Sequence, residues 1–470
     1  MVSFHHPVRY ELGTRELLPE ERVVVGLLPE SAEARRVARH LGVSEQQPEV
    51  LIRHDHFLDG EYVPTFLPKL ALSRPEFSRY SRNYGDAEGK RKWGEGLRGR
   101  TVYIVHNFNS ELAPQASDTV AKDIAYTAKY NGAEAVVLLA YTLAHSAQER
   151  GVHQLDHPRM QTEDAKERFD GQAPSVQAHL QDYAMRGVDA IITMHNHCPA
   201  DIERLCQEIN EYLEPLRLKD PQPATMRHKL RFYNVDLAPM VGMYVADYAG
   251  QNLGFDLSDS GRNVLFISTD DGATAFTRQV RKESKLANSA LAIMDKRRAP
   301  DGRNVKYLCL KDVEGLTEER GIDGMDVLVC DDSIRSGETM RINIEALCGN
   351  NSEKLQRDSR IKGKPKRIAV YATRTNLAGN SRQILSTPLI NDIVVTNADP
   401  RVKANLGLLD HKTQILWTNF IMAEAAKAVE RGDDPNTILT ADYIRRRKLL
   451  RIDLPHGHQS DVSLGNSGVL

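Results

Sequence analysis

The stretch Met325-Asp326-Val327-Leu328-Val329-Cys330-Asp331-Asp332-Ser333-Ile334-Arg335-Ser336-Gly337-Glu338-Thr339 most constrains what this chain can fold into. It begins with an apolar run of buried-strand type, closes that run with two adjacent carboxylates, and turns through polar residues around one glycine. Met340, Ile344, Leu347 and Cys348 then fall on one helical face, and Gly349-Asn350 supplies a C-terminal stop. Strand, short loop and helix in that order gather backbone N–H groups, the Ser336 and Thr339 hydroxyls and a helix N-terminus around one point. This is the physical description of a phosphate cradle, and an ordinary strand-to-helix turn with an acidic cap is the other reading the residues allow. Asp331 and Asp332 add acceptors for sugar hydroxyls or for a metal-bound water.

The remainder of the chain alternates in the same way. Strands are predicted at Val23–Leu28, Thr101–Val105, Ala135–Ala140, Ala190–Met194, Val264–Ser268, Ala290–Met294, Ile368–Ala372 and Ile393–Thr396. Helical spacing lies between many of them: Ser31 to Gly42 has a serine cap and a glycine stop, Ser117 to Asn131 carries Val120, Ile124 and Ala128, and Ser175 to Arg186 leads into the next strand. A last helix is expected around Ile415, Leu416, Phe420, Ile421, Ala425 and Val429. The alternation predicts an α/β fold with two doubly wound, mostly parallel sheets. The first domain is expected over 1–235 with insertions at 74–98, 151–174 and 201–231, and the second over 236–430, carrying the phosphate loop. Residues 431–470 form a C-terminal extension, with disorder expected after Pro455.

Ligands of open α/β sheets sit at the carboxyl ends of strands, so the residues there carry the functional reading. One such end is His195-Asn196-His197, where two imidazoles two residues apart on an extended segment point the same way, although two histidines alone make an incomplete metal site. A second is Thr269-Asp270-Asp271-Gly272, and a third is Asp295-Lys296-Arg297-Arg298-Ala299-Pro300-Asp301-Gly302-Arg303. Four cations with Pro and Gly predict a flexible loop suited to polyphosphate.

Composition narrows the partners. The 62 basic and 64 acidic residues leave a formal net charge of −2, so no overall field favours nucleic acid or an anionic membrane. No apolar run reaches the length of a membrane span, and the N-terminus lacks the apolar core of a signal peptide. The cysteines at 198, 206, 309, 330 and 348 are odd in number and contain no C-x-x-C pair, which predicts free thiols and a reducing cytoplasmic location.

In this order, the segments resemble the ribose-phosphate diphosphokinase family, the phosphoribosyl pyrophosphate (PRPP) synthetases. The resemblance runs over most of residues 50 to 430. Its motifs are Phe57-Leu58-Asp59-Gly60-Glu61, Gln148-Glu149-Arg150, His195-Asn196-His197, Asp270-Asp271-Gly272, Asp295-Lys296-Arg297-Arg298, the loop from Asp331 to Thr339, and Val394-Val395-Thr396-Asn397. The resemblance implies a type I phosphoribosyltransferase-like fold, ATP and ribose 5-phosphate as substrates, and a magnesium requirement that manganese could meet. Nucleotide contacts would map to Phe57, Asp59, Glu61, Gln148 and Arg150, metal ligands to His197 and Asp270, and mobile catalytic cations to Lys296 and Arg298. Ribose-phosphate contacts would map to Asp331, Asp332, Ser333, Ser336, Gly337 and Thr339. A dimer-based homo-oligomer, up to a hexamer, is implied in the same way.

This sequence departs from the family pattern at several of these positions. Ala147 stands where an arginine is usual, Asp271 replaces a histidine, Arg335 an aspartate and Glu338 a glycine. These departures leave open diphosphoryl transfer to another sugar phosphate or ribosyl nucleotide, and a catalytically weak nucleotide-binding partner that regulates a true synthetase.

Overall fold

The computed structural model describes residues 12–27, 31–43, 50–56, 62–68, 97, 99–106, 114–143, 175–218, 228–298, 305–317, 319–349, 362–375, 377, 379–399, 402 and 406–455. Of the expected site residues, Phe57, Asp59, Glu61, Gln148 and Arg150 lie outside the described residues. Two compact units emerge: Met1–Leu237 with Ala398–Pro400 and Thr418–Leu449, and Ala238–Asn397 with Arg401–Trp417 and Leu450–Leu470.

In the first unit Arg22–Gly26 (β1) leads to Ala32–His40 (α1), whose N-cap Ser31 accepts a hydrogen bond from Ala34 N. Val50–His56 (β2) and Tyr62–Pro68 (β3) pair antiparallel on their own. Thr101–His106 (β4) and Ala135–Ala140 (β5) are buried at every position, as strands covered on both faces must be. Pro114–Tyr130 (α2) joins them, and Ser175–Met185 (α3) leads to Ala190–Met194 (β6). Pro199–Arg217 (α4) then buries Ile202, Leu205, Cys206, Ile209 and Leu213, and the chain returns through Arg231–Val235 (β7). The sheet is parallel throughout, in the order β1-β4-β5-β6-β7.

The second unit opens with Ala238–Asn252 (α5), Val264–Ser268 (β8) and Thr274–Glu283 (α6). At Gly242 of α5 a Cβ would stand 2.8 Å from the Val280 carbonyl oxygen, so only glycine lets α5 and α6 approach this closely. Ala290–Arg298 (β9) and Val305–Glu314 (β10) are antiparallel neighbours. Next come Asp326–Ile334 (β11), Glu338–Leu347 (α7), Arg367–Thr375 (β12), Ser381–Leu385 (α8), Asp392–Thr396 (β13) and Thr413–Trp417 (β14). Asn419–Arg431 (α9) and Ala441–Arg447 (α10), both of the first unit, follow, and Arg451–Asp453 (β15) closes the second sheet. That sheet runs β10-β9-β8-β11-β12-β13-β14-β15. All its pairings are parallel except β9 with β10 and β14 with β15.

One sequence expectation changes here. Ile415 and Leu416, expected on the last helix, belong to β14, which pairs with β13, and the helix starts only at Asn419. The short apolar run Ile415-Leu416-Trp417 beside a helix reads as part of it when spacing alone is used. The apolar face of α9 is also spent inside its unit: Ile421, Ala425 and Val429 are buried and the helix packs against α1. Its Glu430 is buried, takes two hydrogen bonds from Arg22 at 2.6 and 2.8 Å, accepts a third from the Tyr103 hydroxyl, and caps Leu17 N at 2.9 Å. The α9 helix is thereby fastened to the first strand of the chain.

Among the described residues Cys198, Cys206, Cys330 and Cys348 form no disulfide, and no helix is long and apolar enough to cross a membrane.

Candidate functional site

The strand order of the second sheet reverses direction between β8 and β11. From β8 the chain moves to β9 on one side, and from β11 it moves outward through β12, β13 and β14 on the other. Such a switch point leaves a crevice at the carboxyl ends of the two strands. Pairing of β8 with β11 stops at Ser268 opposite Cys330, whereas β11 stays paired with β12 as far as Ile334 opposite Thr375. Asp270, Asp331 and Asp332 therefore all lie where the sheet opens.

Asp270 is held by the turn that starts α6. Its Oδ1 accepts from Ala273 N at 3.2 Å, and its carbonyl accepts from Ser268 Oγ at 2.6 Å and Thr274 Oγ1 at 3.2 Å. Asp331 is buried, and its Oδ1 accepts from Asp332 N at 2.8 Å. Burial, and then the negative charges of Asp332 and Asp270, push the Asp331 carboxyl well above the usual carboxylate range. Asp332 is treated differently: Arg374, itself buried on β12, donates from Nη2 to its Oδ2 at 2.7 Å. Ser333 Oγ donates to the other oxygen at 3.1 Å.

The phosphate loop is shorter than the sequence predicts, because β11 continues through Asp331-Asp332-Ser333-Ile334 and leaves only Arg335-Ser336-Gly337 before α7. Continued pairing with β12 keeps the acidic residues extended even though β8 has ended. Gly337 occupies the N-cap position with φ 75°, a left-handed conformation that only glycine adopts readily. Arg335 and Ser336 are exposed, and Ser336 Oγ accepts from Glu338 N at 3.4 Å. Glu338 is held by Arg341, whose Nε donates to Oε2 at 2.9 Å. Its carboxylate is thus tied along α7, one turn further on.

Two other expectations meet the structure differently. The strand β6 ends at Met194, and His195 takes φ 42°, so His195 and His197 lie on a turn rather than on one extended segment. Asn196 braces that turn: its N–H donates to Asn234 Oδ1 at 2.7 Å, and its own Oδ1 accepts from Cys198 N at 3.4 Å. His197 is exposed just ahead of α4. Lys296 and Arg298, expected on an open loop, lie on the extended backbone of β9, opposite Leu308 and Val305 of β10. Backbone pairing with β10 carries the strand past the point where its apolar run stops.

Sequence reasoning missed Arg374. The strand was expected to end at Ala372, and an arginine beyond a strand end gives no signal by itself. Its alignment opposite Ser333 is visible only in the β11–β12 register.

Among the described residues no three ligating side chains converge as a ready metal cluster. Magnesium ordinarily takes one or two carboxylates and fills its octahedron with water and phosphate oxygens. A crevice in which Asp332 and Asp270 disfavour ionisation of Asp331 fits such a cation, with Asp270 and Asp331 as the groups placed to hold it.

No model of a known protein family matches the chain. The chain is 24% identical over 182 residues to a ribose-phosphate pyrophosphokinase of Pasteurella multocida (strain Pm70). That alignment covers 38% of this chain and 49% of the relative, so the chain spans about half the length of the curated protein it matches. Among solved structures, phosphoribosylpyrophosphate synthetase from Mycobacterium smegmatis superposes with a TM-score of 0.53 and 13% identity, over 87% of this chain and 98% of that one. The chain resembles this family, and its fold is α/β of the type I phosphoribosyltransferase kind.

Proposed function

We propose that the chain transfers the diphosphoryl group of ATP to the 1-hydroxyl of ribose 5-phosphate, giving PRPP and AMP. The observation that carries this reading is the junction of β11 with α7. The loop turns through a left-handed Gly337 into the N-terminus of α7, the kind of helix start at which a phosphate binds, and Asp331 and Asp332 precede it at the switch point. The 5-phosphate would lie against the backbone N–H groups around Ser336–Thr339 and the Ser336 and Thr339 hydroxyls. The ribose hydroxyls would then donate to Asp332, whose carboxylate Arg374 holds in place. Lys296 and Arg298 would stabilise charge developing on the transferred phosphoryl oxygens. Asp270 and Asp331 would hold magnesium, whose positive charge would offset part of the charge on the phosphates.

Phe57, Asp59, Glu61, Gln148 and Arg150 belong to the proposal as nucleotide contacts, and His197 as a metal ligand, on the resemblance alone. Self-association rests on the same ground, since the apolar face of α9 is occupied within its own unit. A cytoplasmic location is proposed with it.

One observation favours a different acceptor. Arg335 lies exposed just past the end of β11, a cation suited to a sugar phosphate carrying further negative charge. Release of AMP from ATP, measured with ribose 5-phosphate, with other sugar phosphates and with none, tests both readings. AMP appearing only with ribose 5-phosphate supports the first. No AMP with any acceptor rejects both and supports a nucleotide-binding regulator.

A further inference from the structure

At the opposite end of the second sheet, by the amino ends of β12, β13 and β14, lies an open cavity of about 450 Å³. Arg367, Ser386, Thr387, Asn391, His411 and Lys412 are among the residues that line it. Lys412 is the unusual one. Only 7% of it is exposed, and its Nζ donates to the carbonyl oxygens of Thr387 at 3.1 Å and Ile390 at 3.0 Å. Both of those residues line the same cavity.

Two N–H groups anchored on two carbonyls leave one tetrahedral position of Nζ. In the ammonium form that position holds a third proton, and in the amine form it holds the lone pair. Burial favours the amine and pushes Lys412 down to about 8, against which the Asp392 carboxylate of β13 acts in part. At pH 7 about one molecule in ten then carries a free amine there, compared with fewer than roughly one in a thousand for an ordinary exposed lysine. The other charged or titratable groups of the lining are Arg367 on β12 and His411 beside Lys412.

We propose that Lys412 is an acylation site whose amine reacts with acyl phosphates entering this cavity. The Nζ lone pair attacks the carbonyl carbon, the bond from that carbon to the phosphate oxygen breaks, and the nitrogen gives its extra proton to water. Phosphate leaves with the bonding pair, with Arg367 in the lining as a fixed positive charge for it. The resulting amide keeps one N–H. One of the two anchoring contacts to Thr387 and Ile390 is therefore lost.

The test uses the full chain and acetyl phosphate at pH 7, with acetylation at each lysine followed by mass spectrometry. Lys412 should react at least about tenfold faster than exposed Lys282 and Lys364, with the advantage shrinking above pH 9 and vanishing in urea. A native rate at Lys412 no greater than that of Lys282 overturns the proposal. So does an advantage that survives unfolding, which would trace to local sequence and not to the cavity.

Discussion

Arg374 reaches from β12 to β11 and donates to Asp332 Oδ2 at 2.7 Å, with both side chains largely shielded from water. A shielded pair of this kind costs more to break than it contributes by forming, because the surviving charge is left without its partner. The pair holds the Asp332 carboxylate in place, while burial and the charges of Asp332 and Asp270 push Asp331 towards neutrality.

Arg374→Ala should therefore destabilise the second unit by about 3 kcal/mol, read from urea unfolding. In two-substrate kinetics it should raise the KM for the sugar phosphate by tenfold or more, about 1.4 kcal/mol or above, while the KM for ATP changes less. Arg374→Lys should recover part of both. An Arg374→Ala chain that raises only the ATP requirement removes Asp332 from the sugar site.

Gly337→Ala probes the loop without touching a charge. A residue other than glycine at φ 75° carries a strain of about 1–2 kcal/mol, and the added Cβ would stand 3.3 Å from Ile384 Cγ2. The loop is expected to shift and weaken sugar-phosphate binding, with little loss of global stability. Calorimetric titration of ribose 5-phosphate into the variant checks this, and unaltered affinity would place the phosphate elsewhere.

His106, at the end of β4, gives the first unit a pH dependence of its own. Burial pushes its imidazole down to about 4, far below the usual value near 6.5. The unfolded chain therefore binds a proton that the folded chain refuses throughout that window. Stability is retained above pH 6.5 and falls as the pH drops towards 4, by about 3 kcal/mol for this group. Denaturant midpoints at pH 7 and pH 4.5 should separate accordingly, and His106→Gln should reduce the separation.

Much of the fold was legible because buried parallel strands are nearly continuous apolar runs. Val102 to Val105, Ala135 to Ala140 and Val327 to Cys330 need no partner to be recognised. Strands written in polar residues were not: β10 contains Lys306, Lys311, Asp312 and Glu314, and β7 reads Arg-Phe-Tyr-Asn-Val. Hydrogen bonding to a neighbour holds them, and no spacing in the segment itself records that. The acidic strand ends Asp270, Asp331 and Asp332 were visible for the same reason as the strands they terminate. Arg374 was not, since its meaning lies in a register with β11. Nor could sequence show that Glu338 is tied back by Arg341, three residues on, away from the loop it follows.

Lys296 and Arg298 carry the last prediction. They follow the apolar half of β9, and β10 pairs with them in extended conformation, so the two cations are borne on backbone held by a neighbouring strand. Fixed cations act most strongly where charge grows during a reaction, because no reorganisation is needed at that moment. Removing one preorganised donor typically lowers turnover about 10²–10³-fold, or about 3–4 kcal/mol. Lys296→Ala and Arg298→Ala should each cost turnover of that order and change ATP binding much less, which separates a transition-state role from ground-state binding. Single-turnover AMP release gives the first quantity, and nucleotide titration gives the second. If the double variant forms AMP at close to the parent rate, neither cation touches the transferred group, and the nucleotide-binding regulator becomes the better reading of the chain.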